Sequence, residues 1–190
     1  VSTRAGTVAA TLRRAAQLDQ QWMRKVPETD RRYTPWMPFS IPAFIALLAE
    51  ALPEAPEIRG DLRFLDIGCG PGSKMLIARD LFGLDVTGFD RVPEYVIAAR
   101  SVALDAYIAD AEDWPSYGNA SVTWFNRVAR DPEIQARIEA AVWRGAASGA
   151  VVIGANLEGP PPRSWLPVLD DWADARRGIW ANPGMPAAGW

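Results

Sequence analysis

Apolar and polar positions along this chain follow two periods, one helical and one of short buried runs. From Thr7 to Val26 the apolar residues Val8, Leu12, Ala15, Trp22 and Val26 recur mostly at helical spacing, with Asp19 interrupting. That predicts an amphipathic helix stopped by Pro27. Residues Arg31 to Pro42 interleave Tyr33, Pro35, Trp36, Pro38 and Phe39, the composition of a packed but irregular loop. Pro42 suits the first turn of a second helix, with Ser40 near its cap and Phe44, Ile45, Leu47, Leu48, Ala51 and Leu52 as its buried side. Pro53 to Glu57 reads as a linker.

From Arg63 onward short apolar runs alternate with helical segments. Arg63–Ile67, Asp85–Phe89, Ala106–Ile108, Ser121–Phe125 and Ala150–Ala155 read as strands. Ser73–Phe82 and Pro93–Leu104 read as helices. Asp131-Pro132-Glu133 is a helix start, with an Asp cap, Pro in the first turn and an acid behind it, and Ile134, Ile138, Ala141 and Val142 mark one face. Trp165–Asp171 and Gly178–Ala181 are expected to form an antiparallel edge pair, since the tail would otherwise be a long structureless segment. This rhythm predicts an α/β fold with a mostly parallel seven-stranded sheet and helices on both faces. Residues 1–60 would form a helical cap and 61–190 the core, within a single domain.

Composition adds exclusions. The chain is 49% hydrophobic and 23% charged with a net charge of −3, and carries no apolar run long enough to span a membrane. A nucleic-acid partner and a membrane surface are both disfavoured, and no leader peptide is read at the start. One segment departs from this balance: Arg4, Arg13, Arg14, Arg24, Lys25, Arg31 and Arg32 face only Asp19, Glu28 and Asp30. That basic arm is either a solvated helix face or a docking surface for an anionic partner. The lone cysteine, Cys69, forbids an intramolecular disulfide and makes a cytoplasmic setting the default. The chain has no histidine, which removes Ser-His-Asp and Cys-His mechanisms and the commonest transition-metal ligand.

The chemistry concentrates in Asp66-Ile67-Gly68-Cys69-Gly70-Pro71-Gly72-Ser73-Lys74, between a predicted strand and a predicted helix. Glycines there allow a sharp turn and close approach of a ligand to unpaired helix N–H groups. A Walker loop would need Gly-Lys-Ser/Thr in succession, but Ser73 separates Gly72 from Lys74. A dinucleotide fingerprint would need glycine where Ser73 stands, which leaves a nicotinamide-dependent oxidoreductase a remote alternative. The acid and the glycines at 68, 70 and 72 resemble motif I of the class I S-adenosylmethionine-dependent methyltransferases, Asp/Glu-x-Gly-x-Gly-x-Gly. The resemblance implies a Rossmann-like fold and S-adenosyl-L-methionine as cofactor, with Asp66 toward its cationic methionine end and Gly68, Cys69, Gly70 and Gly72 beneath it. Cys69 reads as a small buried side chain and not a nucleophile.

Further acids occupy the places the resemblance requires. Asp90, closing the second strand 24 positions after Asp66, would take the ribose hydroxyls. In Ala109-Asp110-Ala111-Glu112-Asp113-Trp114, Asp110 would accept from the adenine amino group and the Ala111 backbone would contact the ring. Arg91 would lie against the adenine face. Asn126, ending the fourth strand, falls where the methyl acceptor is expected and is a candidate both for catalysis and for contact with the cofactor. It is followed by Arg127-Val128-Ala129 and not by the Pro-Pro-aromatic run of amino-methylating DNA enzymes. Tyr33 is a second catalytic candidate, and Trp36 and Met37 could close the cap. Arg31 or Arg32 could meet the cofactor carboxylate, and Arg127 and Arg130 an anionic acceptor.

Methyl transfer from a sulfonium is an in-line displacement that needs alignment more than a strong base, so the missing histidine is tolerable. The expected function is therefore metal-free methyl transfer to a small molecule or protein side chain. A catalytically silent cofactor-binding partner subunit is the alternative.

Overall fold

The computed structural model describes residues 4–23, 32–33, 37–57, 61–171 and 177–183. Helix α1 (Arg4–Met23) starts three residues before the expected Thr7. Its predicted end at Val26 lies outside the described residues, as do Arg31 and Trp36. Helix α2 (Ile41–Ala51) begins as the sequence indicates: the Ser40 hydroxyl accepts from the Ala43 N–H at 3.4 Å, and Pro42 occupies the first turn, where no donor is lost. Its buried side is Phe44, Leu47, Leu48 and Ala51.

The core then alternates as β1 (Arg63–Ile67), α3 (Ser73–Phe82), β2 (Asp85–Asp90), α4 (Pro93–Ser101), β3 (Asp105–Ile108), β4 (Val122–Asn126), α5 (Pro132–Gly145), β5 (Val151–Ala155), β6 (Leu166–Asp171) and β7 (Arg177–Ala181). The strands form one seven-stranded sheet in the order β3-β2-β1-β4-β5-β7-β6. β1 to β5 are parallel, and β7 runs antiparallel to both β5 and β6. The expected edge pair is therefore present. Helix α4 stops three residues short of the predicted Leu104, where the chain turns through Ala103 at φ 59°.

Side chains of each strand alternate between two cores, as the period of two requires. Phe64, Val122, Trp124, Val151 and Ile153 face the cluster that holds residues of α1, α2, α3 and α4. Leu65, Ile67, Phe125, Val152 and Trp180 face Ile134, Ile138 and Val142 of α5. Trp143 of α5 meets Phe125, Trp165 and Trp180 edge-on, with ring centroids 6.2, 5.0 and 5.7 Å apart. Those contacts fasten the antiparallel edge to the parallel core, each such pair adding about 0.5–1.5 kcal/mol beyond its buried area.

The cap is packed on the core. Ala15 and Leu18 of α1 are buried in the same cluster as α3, the Thr11 hydroxyl donates to Asp80 at 3.3 Å, and Trp22 meets Tyr95 of α4 edge-on at 5.3 Å. Arg13 and Arg14 of the basic arm are exposed; Arg24, Lys25 and Arg31 lie outside the described residues. No helix among the described residues is long and apolar enough to cross a membrane. Because β1 pairs with β2 on one side and β4 on the other, a crevice opens at the carboxyl ends of these strands.

Candidate functional site

The glycine turn lies at that crevice. Gly68, Gly70 and Gly72 hold φ of 69°, 54° and 88°, left-handed values that side chains disfavour. Gly72 is constrained twice: a Cβ there would stand 2.5 Å from Leu104 Cδ1 and 3.1 Å from Ala99 Cβ. The absence of a side chain thus lets the start of α3 pack against α4. The N–H groups of Gly68 and Cys69 both donate to the Phe89 carbonyl at 2.9 Å, tying the turn to the end of β2. Gly72 caps α3 and, being a glycine, offers no side-chain hydrogen bond to the first-turn N–H groups.

Asp90 locks this arrangement. Its Oδ2 accepts from the Gly70 N–H and its Oδ1 from the Val92 N–H, each at 2.9 Å. Burial raises its pKa to about 6 against the opposing pull of those backbone donors. Asp66 is 1% exposed, and its Oδ2 has no hydrogen-bond partner among the described residues. Desolvation pushes its pKa up to about 8, with the Lys74 ammonium acting the other way and Asp90 and Asp19 reinforcing the rise. A buried carboxylate oxygen without a donor is costly and is relieved by a cationic or donating ligand. Lys74 itself donates to Asp19 Oδ2 at 3.2 Å and to Ser73 Oγ at 3.1 Å.

Beyond β2 and β3 a second cluster forms around Tyr33. Its hydroxyl stands 3.2 Å from both Asp110 Oδ2 and Glu112 Oε2, and the Arg91 guanidinium lies 3.5 Å over its ring centroid. Arg91 Nε is 3.3 Å from Asp110 Oδ2, and Asp110 Oδ1 accepts from the Glu112 N–H at 3.0 Å. Arg137 Nε pairs with Glu112 Oε1 at 2.7 Å. Burial, then the Asp110 charge, push the Tyr33 pKa up to about 12. The phenol is a protonated donor aimed at two carboxylates, a geometry unsuited to a base. A bridge between Tyr33 and Ala129, together with the Arg130 and Asp131 N–H groups donating to the Arg32 carbonyl at 2.9 and 3.0 Å, stitches this strap to the loop after β4.

At the ends of β4 and β5 side chains bind to one another and to the backbone. Asn156 donates from Nδ2 to Asn126 Oδ1 at 2.7 Å, and its own backbone sits at φ 55°. Arg127 Nη2 pairs with Glu158 Oε2 at 3.0 Å while its Nε donates to the Ala129 carbonyl at 3.1 Å. Behind both loops, Gln135 of α5 accepts from the Val128 and Ala129 N–H groups at 3.0 and 2.9 Å. Its Nε2 donates to Glu139, which accepts from the Glu158 and Gly159 N–H groups at 2.7 and 3.1 Å.

These clusters border one cavity of about 350 Å³. Of the residues singled out from sequence, Tyr33, Asp66, Gly68, Cys69, Asp90, Arg91, Ala111 and Asn126 line it, together with Met37 and Arg127. Gly70, Gly72 and Asp110 are not on its wall: Gly70 serves Asp90, Gly72 caps α3, and the Asp110 carboxylate is turned to Tyr33 and Arg91. Cys69 is 4% exposed, and burial drives its thiol well above the ordinary range, which suits an inert side chain. Sequence reasoning missed Phe39, Lys74, Tyr95 and Trp124 as wall residues. The position of Lys74, one residue past the glycine turn, was the available signal. The Gln135–Glu139 clamp left none.

No family model matches the chain. The trans-aconitate 2-methyltransferase of Mycobacterium sp. (strain KMS) is 30% identical over 149 residues, a match covering 67% of this chain and 54% of that protein. The chain therefore spans about half the length of the curated relatives it matches. Among solved structures, the RNA methyltransferase from Salinibacter ruber in complex with S-adenosyl-L-homocysteine superposes with a TM-score of 0.58 at 18% identity, covering 80% of this chain and 97% of that one. The phosphoethanolamine N-methyltransferase 2 of Haemonchus contortus in complex with S-adenosyl-L-methionine gives a TM-score of 0.50 at 19% identity, over 61% of this chain and 28% of that one. At such identities these likenesses speak to the fold. With the strand order, the glycine turn and the buried acids at the ends of β1 and β2, they give the chain the Rossmann-like fold of the class I S-adenosylmethionine-dependent methyltransferases.

Proposed function

We propose that this chain binds S-adenosyl-L-methionine in the cavity above β1 and β2 and transfers its methyl group to an acceptor held beside Asn126. One observation carries the reading: Asp90, Asp66 and Asn126 stand in that spatial order at the ends of adjacent strands β2, β1 and β4, and all three border one cavity. The buried Asp66 Oδ2 fits the α-ammonium of the methionine tail, and Asp90 retains lone pairs for ribose hydroxyls beyond the two N–H groups it already accepts. When bound, the cofactor supplies a methyl group already activated on a sulfonium. What remains for the protein is to exclude water and to align the acceptor.

The acceptor is best read as an amine or carboxylate that is nucleophilic without proton removal. Asn126, braced by Asn156, would orient it by hydrogen bonding, and Arg127 offers a cation on the same wall. Tyr33, with its hydroxyl committed to Asp110 and Glu112, acts in this reading as a wall of the adenine end and not as the base. The mycobacterial relatives are by name methyltransferases of trans-aconitate, a small carboxylate, which makes such compounds the first acceptors to try.

The test is transfer of labelled methyl from S-adenosyl-L-methionine to small di- and tricarboxylates, amines and a lysate, beside S-adenosylhomocysteine titrations. Label is expected in the wild type and is expected to drop more than about 100-fold in Asp66→Ala. Equal labelling by that variant, or no binding of S-adenosylhomocysteine, would overturn the proposal. Binding without any transfer would identify a catalytically silent subunit.

A further inference from the structure

Lys74 is the second residue of α3 and part of the cavity wall, yet it is only 6% exposed. An ammonium has three N–H donors. Two are placed, on Asp19 Oδ2 at 3.2 Å and on Ser73 Oγ at 3.1 Å, and the third has no hydrogen-bond partner among the described residues. Asp19 comes from α1, is 7% exposed, and leaves its Oδ1 without a partner among the described residues. Asp66, on which the Lys74 ammonium acts, leaves its Oδ2 without a hydrogen-bond partner among the described residues as well.

A buried pair that served stability alone would be expected to satisfy its remaining oxygens, since desolvation otherwise cancels the Coulombic gain. This cluster does not. Among the described residues it has one donor and two acceptor oxygens to spare, with Lys74 and Asp66 on the cavity wall and Asp19 behind Lys74. A group bearing both an ammonium and a carboxylate matches that pattern, the former on Asp66 and the latter on Lys74.

We propose that Lys74, held in place by Asp19 of α1, binds the carboxylate of the donor's amino-acid tail, so that the N-terminal helix is a working part of the donor site. This rests on the methyl-donor reading above and adds the residue that selects for the tail. A purely structural Lys74 would affect every ligand alike; a tail-binding Lys74 affects only ligands that have the tail.

Calorimetric titration with S-adenosylhomocysteine and with 5′-deoxy-5′-methylthioadenosine, whose amino-acid tail is replaced by a methyl group, separates the two. Lys74→Met is expected to weaken S-adenosylhomocysteine about 10- to 100-fold, the effect of a lost hydrogen bond to a charged group, and to leave methylthioadenosine within about 2-fold. Lys74→Arg, which keeps the charge, is expected to retain most of the preference. Because the ratio of the two affinities is read within each preparation, a partly unfolded variant still gives an answer. A ratio unchanged in Lys74→Met, or equal affinities of the wild type for the two ligands, would overturn the assignment. A wild type that binds neither ligand fails differently, because the donor reading itself then falls.

Discussion

The two ends of the cavity are built in different ways. At the ends of β1 and β2 the construction is mostly backbone: Gly68 on the wall with Gly70 and Gly72 behind it, all at positive φ, N–H groups converging on the Phe89 carbonyl, and one carboxylate, Asp90, accepting from Gly70 and Val92. At the ends of β4 and β5 the wall is a mesh of long side chains, with Asn156 on Asn126, Arg127 on Glu158, and the Gln135–Glu139 clamp behind. The first construction admits few alternatives, because φ values and backbone donors leave little to exchange. The second can be rebuilt by changing side chains without moving a strand. In the proposed function the first end holds the methyl donor and the second the acceptor, so the acceptor side can vary while the donor side stays fixed.

The sharpest way to break this contrast is Asp90→Ala. It leaves the Gly70 and Val92 N–H groups without their carboxylate and removes the proposed ribose contact. We expect more than about 100-fold weaker S-adenosylhomocysteine binding by calorimetry, with about 2–4 kcal/mol of stability lost in thermal melts. An affinity within 10-fold of wild type would show that the donor end does not depend on this lock.

Gly72→Ala should act nearly as strongly through the backbone alone. A φ of 88° and a Cβ 2.5 Å from Leu104 Cδ1 together are expected to cost about 2–4 kcal/mol, read from denaturant unfolding. A change below about 1 kcal/mol would mean that the turn is softer than its contacts imply.

On the other side, Glu139→Gln turns one of the acceptors of the Glu158 and Gly159 N–H groups into a donor. About 1–3 kcal/mol of stability is expected to be lost, while S-adenosylhomocysteine affinity stays within about 2-fold. A large loss of affinity would show that the two ends are coupled through α5.

The smallest effect is electrostatic. Asp66 and Asp90 titrate at about 8 and about 6 in the fold, above the ordinary 3.8. Between about pH 4 and 8 the folded chain thus holds protons that the unfolded chain has released. Their contribution to stability is greatest at the acid end and falls as pH rises through 6 and then 8. Asp66→Asn is expected to flatten the upper half of that slope. A ligand ammonium on Asp66 favours its ionised form, so S-adenosylhomocysteine binding at pH 7 should release up to about one proton, seen as a dependence of binding heat on buffer ionisation enthalpy. Proton uptake instead would argue against an ammonium at Asp66.

The same contrast governs what could be read in advance. Helix α3 and strand β1 were legible to the residue, because glycines, caps and apolar runs are local signals that act on the chain carrying them. Asp66 and Asp90 could be placed on their strands because one stands next to the end of β1 and the other closes β2, each beside such a signal. Tyr33 lines the cavity, but its contacts had no local signal: its partners Asp110 and Glu112 lie 77 and 79 positions away, and only folding brings the three together. Gln135 and Glu139 look like ordinary polar positions on an amphipathic helix until α5 is laid across two loops.

The sequence by itself therefore determined the order of elements, the glycine turn and the acids at or just beyond the ends of the first three strands, since φ preference, capping and hydrophobic period act over a few residues. Tertiary structure decided which of those acids face the cavity and which are turned aside. It also set the partners of Lys74 and the bracing of Asn126. Burial and ion pairing depend on neighbours that are distant along the chain, and no local pattern encodes them.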